Sequence, residues 1–280
     1  MLFDSCDKIV FFDGAMATML QGVKQNPGET PAVLSITNPK AVENVHRMYV
    51  EAGSDIICTN TFGANAHSLR ETGYSPEEII LASVEAAKRG ANGRAKIALD
   101  VGPIGLLSEP SGALTRSQAY DLFAEQAVAV EKVGADFIAI ETMSDLNELE
   151  PAILAFRENT SIPVFATMSF HKNGFTFMGC SPEDFVKIAE SLGVAAVGLN
   201  CSLEPSEMYI TAEKIIKSTN LPVIIKPNAG LPDTITGLYS LSPTEFAEQM
   251  LPFKNMGAKI IGGCCGTTPE YIAELVKSFT

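Results

Sequence analysis

The sequence predicts a single (β/α)8 TIM barrel, and three observations carry that expectation. Short β-branched runs, each ending in Gly, Asn, Thr or Cys, alternate with amphipathic stretches of helix length, the pattern of βα units on a parallel sheet. Eight such runs are present, the number that closes one barrel. Helix-start signals recur after the runs, where a βα rhythm needs them. A chain of 280 residues suits one barrel, and no Pro- or Ser-rich boundary divides the strands, so residues 1–280 are expected to form one domain.

Taken in order, the strands are expected at 9–12, 56–59, 97–100, 137–141, 164–168, 196–200, 223–226 and 259–261. Five helix starts pair an N-cap residue with proline at the first helical position, where a missing N–H costs nothing: Asn38-Pro39, Ser75-Pro76, Ser181-Pro182, Ser242-Pro243 and Thr268-Pro269. Ser75 with Glu78, Thr115 with Gln118 and Ser242 with Glu245 match the capping box, in which side chains and backbone donors satisfy one another. Amphipathic bodies such as 119–132 follow, where Leu122 and Ala129, with Val133 just beyond, can turn inward. The longest irregular connections, 21–37 and 101–114, follow strand carboxyl ends, the face on which barrel active sites are built.

Composition excludes several classes. At 46% hydrophobic and 19% charged the chain is ordinary for a globular protein. A net charge of -13 with scattered lysines and arginines argues against nucleic acid or an anionic membrane surface as partner. Residues 1–7 carry acids where a secretion signal needs a basic start, and no apolar run approaches a membrane span, which points to the cytoplasm. Thiols stay reduced there, so Cys6, Cys58, Cys180, Cys201, Cys264 and Cys265 read as core, metal or catalytic groups rather than as disulfides.

A barrel turns the strand ends into rim candidates. Asp13 and Gly14 follow the first strand, Thr59-Asn60-Thr61 the second, Asp100 the third and Glu141-Thr142 the fourth. Asn200-Cys201-Ser202 follow the sixth, Pro227-Asn228-Ala229-Gly230 the seventh, and Cys264-Cys265 the eighth. Adjacent side chains on extended backbone point to opposite faces, so Gly262, Gly263 and Gly266 are expected to supply the unusual dihedrals that aim both sulfurs at one point. Two neighbouring thiols also read as small buried hydrophobes. Cys201, arriving from the sixth strand, adds a third thiol and favours a metal. Three thiolates with an open position suit zinc, whereas closed structural sites carry four protein ligands, and no Cys-x-x-Cys occurs. Soft ligands favour zinc over magnesium or calcium. His46, His67 and His171 occupy no motif position and are expected at the surface or in satisfied polar roles.

Six segments together resemble a known family: Asp13-Gly14-Ala15-Met16-Ala17-Thr18, Thr59-Asn60-Thr61-Phe62, Ile140-Glu141-Thr142, Gly198-Leu199-Asn200-Cys201, Lys226-Pro227-Asn228-Ala229-Gly230 and Gly262-Gly263-Cys264-Cys265-Gly266. It is that of the zinc-dependent homocysteine S-methyltransferases, which includes the homocysteine-binding module of cobalamin-dependent methionine synthase and the betaine-dependent enzymes. The segments run from the first strand to the last. The resemblance implies a barrel that holds zinc through Cys201, Cys264 and Cys265, with the substrate sulfur in the fourth position and methyl transfer to homocysteine giving methionine. It implies that Asp13 and Glu141 receive the substrate amino group and the backbone after Gly14 its carboxylate. Asn228 matches a position whose side-chain oxygen can occupy the metal before substrate arrives, and it reads equally as a turn residue. Asp13 and Glu141 also read as helix caps or rim salt bridges. Ala17 stands where the family usually has glycine, which implies slightly different packing under the substrate.

The methyl donor is not legible. No Gly-x-Gly-x-x-Gly fingerprint or P-loop occurs. Ser169-Phe170-His171-Lys172-Asn173-Gly174 is superficially similar to the Asp-x-His-x-x-Gly cobalamin motif but lacks the leading acid, and it is rejected as a cobalamin site. S-methylmethionine, S-adenosylmethionine, a betaine-like donor and a methylated corrinoid on a separate protein stay open. The absence of tryptophan removes one common wall for a cationic donor and tilts the expectation toward a corrinoid protein docking on the barrel rim. The rival readings are another small thiol as acceptor, or a non-catalytic thiol-binding or structural zinc subunit of a larger assembly.

Overall fold

A computed structural model describes residues 8–23, 30–233 and 236–280; Cys6 and part of the 21–37 connection lie outside them. The strands are β1 (Val10–Phe11), β2 (Ile56–Cys58), β3 (Lys96–Val101), β4 (Phe137–Met143), β5 (Val164–Met168), β6 (Ala196–Asn200), β7 (Val223–Lys226) and β8 (Ile260–Ile261). They form one parallel sheet in the order β1-β8-β7-β6-β5-β4-β3-β2. A parallel bridge from Phe12 to Ile56 joins β1 to β2 and closes the cylinder. All eight expected strands are present, with ends displaced by no more than two residues.

Helices α1 (Met16–Met19), α2 (Leu34–Thr37) and α3 (Pro39–Glu51) follow β1, and α4 (Ala66–Leu69) and α5 (Pro76–Ala91) follow β2. Each later strand leads into one helix: α6 (Arg116–Val133), α7 (Leu146–Asn159), α8 (Pro182–Ser191), α9 (Pro205–Ser218), α10 (Pro243–Met256) and α11 (Pro269–Phe279). Four of the five expected N-caps ahead of proline, Asn38, Ser75, Ser181 and Ser242, and all three capping boxes are formed. A fourth box, Glu204 with Glu207 ahead of Pro205, was not among the expectations, because glutamate is an uncommon cap. Thr268 caps by position only: its hydroxyl makes no cap bond and is buried without a partner. In α6, Ala129 is buried while Leu122 and Val133 pack half-buried against the core.

The barrel interior explains where polar residues can gather. Val10, Phe12, Ile56, Cys58, Ala98, Ala139, Phe165, Ala196, Ile224 and Ile260 fill its lower part as one cluster. Small alanines leave room for the rings of Phe12 and Phe165, which meet edge to face at 6.4 Å. Two residues further along their strands, the same inward face carries Asp100, Glu141, Thr167 and Lys226, and Asn200 lies four residues beyond Ala196 on β6. The period of two therefore sets a polar layer directly on an apolar one.

One acid holds a rim connection. Glu148, in the first turn of α7, is 4% exposed, and its Oε1 accepts the Ile104 N–H at 2.6 Å. Burial pushes its carboxyl from 4.5 up to about 7, against the Ile104 N–H and with help from the Asp145 charge. A folded pKa above the unfolded one means that the folded state favours the protonated acid. Glu148 therefore costs nothing below pH 4.5, and its burial penalty grows until pH 7. Glu148→Gln should match wild type in denaturant melts at pH 4.5 and exceed it at pH 8 by about 3 kcal/mol. Parallel stability curves across that range would remove this account.

Candidate metal centre

The thiol centre is built by two different backbone devices. Cys201 directly follows β6 in the left-handed region (φ 62°), and Ser202 comes next there (φ 60°). This conformation is costly for residues with a side chain, and such strain gathers where the surroundings hold it in place. Here the Cys201 N–H bonds to Lys226 O at 3.0 Å and the Leu203 N–H to Cys201 O at 2.7 Å. Cys264 and Cys265 sit on a turn after β8. The Thr267 N–H and Oγ1–H both donate to Cys264 O, and the Gly266 N–H donates to Thr18 Oγ1 at 3.1 Å.

The glycines act differently from expectation. Only Gly266 of the three is left-handed (φ 82°). Gly262 and Gly263 are needed for closeness: an added Cβ would come within 2.7 Å of Phe12 Cβ and 2.2 Å of Thr267 Oγ1, respectively. The missing side chains, more than unusual dihedrals, let the turn fold over the end of β1.

The result is that the sulfurs of Cys201, Cys264 and Cys265 all lie within 4.8 Å of one another, with Cys201 and Cys265 at 3.8 Å. Tetrahedral zinc with Zn–S bonds of about 2.3 Å holds its sulfurs roughly 3.8 Å apart, so the donor set fits that ion. Hydrogen bonds from Cys264 and Cys265 push the Cys201 thiol down, with smaller help from the Ser202 N–H and Asn228. Those bonds push Cys264 and Cys265 up. One thiolate is thus stabilised by two thiols, a group that accepts a soft cation by giving up protons. Cys58 and Cys180 stand apart from the cluster, and burial raises both thiols.

The three thiols open into a cavity of about 260 Å³, lined also by Gly14, Met16, Asn60, Phe62, Asp100, Glu141 and Lys226. That is below the roughly 300–1,000 Å³ of sites for drug-sized ligands and suits a smaller one. Ala17 is exposed on the cavity wall rather than packed beneath it. Gly102 seats the Phe62 ring over the cavity, since an added Cβ would approach that ring to 2.6 Å.

Of the other expected residues, Gly14 and Glu141 are on the wall, whereas Asp13 and Asn228 are buried off its surface. Asp13 Oδ2 accepts the Cys58 N–H at 2.8 Å, its Oδ1 has no partner, and burial pushes the carboxyl up to about 7. Asn228 helps lower the neighbouring Cys201 thiol and leaves a buried Oδ1 without a partner.

Sequence reasoning passed over Lys226 as a site residue. Its Nζ is paired with Glu141 Oε2 at 2.5 Å, 3.8 Å from Cys58 Sγ and 4.8 Å from the Phe12 ring centre. Burial disfavours this ammonium, yet Cys58, Glu141, Asp13 and Asp100 together hold it protonated. Asn200 was named among the rim candidates but given no role. Its Oδ1 accepts from Thr142 N and Thr167 Oγ1, and its Nδ2 donates to Thr142 Oγ1 at 2.7 Å, which braces Thr142 in the left-handed region (φ 63°) beside Glu141. The inward period of two was the signal that could have found Lys226.

The histidines stay out of the site. His67 bonds Arg70 and His171 is exposed, as expected. His46 departs from expectation: it is 0% exposed with neither ring nitrogen bonded, and burial lowers it to about 3, so it is a neutral ring. Its place at the α3–α5 crossing depends on Gly90, where an added Cβ would come within 2.5 Å of His46 Cβ.

Fold and site together define a (β/α)8 barrel protein with a three-thiol centre at the carboxyl ends of its strands. The chain belongs to the homocysteine S-methyltransferase family, whose sequence profile matches residues 10–279. It is 33% identical to the methionine synthase of Mycobacterium tuberculosis over 97% of its own length, and 31% identical to that of Mycobacterium leprae. It spans 24% of each of those proteins. Among solved structures, the metallated form of the homocysteine methyltransferase MmuM from Escherichia coli superposes with a TM-score of 0.84. That match has 24% identity and covers 98% of this chain and 97% of the other, a likeness of fold. Among the described residues, no helix is long and apolar enough to cross a membrane.

Proposed function

We propose that this barrel binds zinc through Cys201, Cys264 and Cys265 and presents homocysteine, as its thiolate, to a methyl donor, forming methionine. The observation that carries the reading is the spacing of the three sulfurs in a small cavity that also holds a carboxylate. Zinc bound there would ionise the substrate thiol, which is otherwise only a few per cent thiolate at pH 7. Ionisation alone is worth about 2 kcal/mol, from roughly 1.5 pKa units. Alignment contributes up to roughly 7–11 kcal/mol, so the protein's main task is to hold the sulfur still.

Glu141 is suited to take the substrate ammonium, with Asp13 adding negative charge from behind the wall. The Ala15 N–H is engaged with Thr267 O at 3.1 Å, so carboxylate recognition falls to the backbone beyond it. Asn228 leaves its buried Oδ1 without a partner near Cys201, which supports a role in closing the metal site until a thiol arrives. A centre that works only with reduced thiols suits the cytoplasm.

For the donor, we favour a methylated corrinoid on a partner protein. Phe62, Leu106, Leu107, Phe175, Phe177, Leu231 and Leu238 are exposed on the connections after β2, β3, β5 and β7, with Phe177 and Leu238 at 71%. Large apolar groups gathered on one rim favour a macromolecular partner over a small donor. The test is a donor screen on zinc-loaded protein, with methylated corrinoid protein, S-methylmethionine, S-adenosylmethionine and a betaine as arms. Methionine should form with the corrinoid arm alone. Turnover with a small donor would replace the partner reading, and no turnover together with no added sulfur neighbour at the zinc absorption edge would favour a structural zinc subunit.

A further inference from the structure

The cysteine turn is tied directly to the connection after β1. The Gly263 N–H donates to Asp13 O at 3.1 Å, the Ala15 N–H to Thr267 O at 3.1 Å, and the Gly266 N–H to Thr18 Oγ1 at 3.1 Å. A side chain from a third element enters this joint. Tyr49, in α3, is 0% exposed, and its hydroxyl lies 2.9 Å from Thr267 O and 3.2 Å from Ala15 O. No space is left around it: an added Cβ at Gly14 would come within 2.6 Å of Thr267 Oγ1, 2.9 Å of Thr267 O and 3.0 Å of the Tyr49 hydroxyl.

Neither carbonyl depends on the phenol for a partner. Thr267 O keeps the Ala15 N–H, and Ala15 O accepts the Met19 N–H at 3.2 Å. The turn is also anchored to the end of β7 without it, since the Cys264 N–H donates to Pro227 O at 2.8 Å and the Ala229 N–H to Cys265 O at 2.9 Å. What the hydroxyl adds is a tie between two bodies. Its one proton is shared by a carbonyl of the cysteine turn and a carbonyl of the connection after β1.

We propose that Tyr49 is a positioning residue, whose hydroxyl sets the distance between the three-thiol centre and the backbone that follows Gly14. This rests on the reading of the site as one that holds an amino-acid thiol by its sulfur at one end and its carboxylate at the other. A ligand gripped at both ends feels any shift between the two grips. A thiol held by sulfur alone does not.

The test is a titration of cobalt-loaded protein, followed by thiolate-to-cobalt absorption, with homocysteine and with propane-1-thiol, which offers only a sulfur. Tyr49→Phe keeps the ring and leaves no carbonyl without a donor, so the fold should survive. Its affinity for homocysteine should fall roughly 2- to 10-fold, the range of one neutral hydrogen bond. Its cobalt content, its thiol-free spectrum and its affinity for propane-1-thiol should equal those of wild type. Placing 4-aminophenylalanine at position 49 returns a donor and should restore homocysteine binding. Equal loss of both thiols, or a lowered melting temperature with homocysteine affinity intact, would assign Tyr49 to the scaffold; either overturns its positioning role and leaves the proposed function standing. A wild type whose cobalt absorption does not respond to homocysteine overturns the proposed function, and this role with it.

Discussion

Serine in place of Cys201, Cys264 or Cys265 is expected to reduce zinc from about one ion per chain to a trace after dialysis, with the barrel still folded. Zinc sites with four protein ligands bind with about 10–16 kcal/mol, or about 2.5–4 kcal/mol per ligand, so one lost thiolate weakens binding roughly 100- to 1,000-fold. Serine is nearly the same size, and its alcohol is a much poorer ligand than a thiolate. The three sites should behave alike, because each supplies one of three sulfurs within 4.8 Å. Cys180→Ser is the control: that thiol is buried beside Ser181 and Asp184, away from the cluster, and zinc should be retained. Atomic absorption and far-ultraviolet circular dichroism read the two halves of the prediction. Normal zinc in any of the three variants would show that the cluster is not the metal site.

Lys226→Met should be the most destabilising replacement in the cavity floor. It removes the buried ammonium that Glu141 contacts at 2.5 Å and leaves that carboxylate, with Asp13 and Asp100, uncompensated. Breaking a buried pair by removing one partner costs about 3–5 kcal/mol, which lowers the melting temperature on the order of 10 °C for a chain of this size. The sign with pH follows from Asp13 and Asp100, which burial already raises and the Lys226 charge holds down. Without the ammonium these two move further up, so the deficit is largest at pH 8, where ionisation is demanded, and shrinks toward pH 5 as they take up protons. Adding Glu141→Gln should recover much of the loss, because the charge left alone is then removed too. Urea melts at pH 5 and 8 on the single and double variants decide it. A Lys226→Met protein as stable as wild type at pH 8 would mean that the pair contributes nothing to the fold.

The sequence made some of this legible and left the rest to the fold. The strands announced themselves because buried parallel strands are unbroken β-branched runs, and the helices because Ser-Pro and Asn-Pro starts are local chemistry. β1 and β8 could be placed but not measured, since each contributes only two residues to the ladder and continues as irregular backbone. The three cysteines were found from their strand ends, yet the reason for the double glycine was not: the contact that excludes a side chain at Gly263 comes from Thr267, across a turn whose shape no spacing reveals. Lys226 and Glu141 are 85 residues apart and became partners only when β4 and β7 met across the barrel interior. His46 was misjudged because its burial depends on how closely two helices cross, which is set by Gly90.

The brevity of β1 and β8 has a mechanical consequence. Each carries two residues of ladder, and a single bridge connects β1 to β2, so the wall is thinnest where the first and last strands meet. The cysteine turn leaves β8 at that seam, while Cys201 ends β6 on sturdier wall two strands away. A metal ion held by all three sulfurs would act as a clasp over the seam, tying the loose edge to the firm one from above. Loading the metal and shutting the cylinder then become one linked equilibrium, in which each step favours the other.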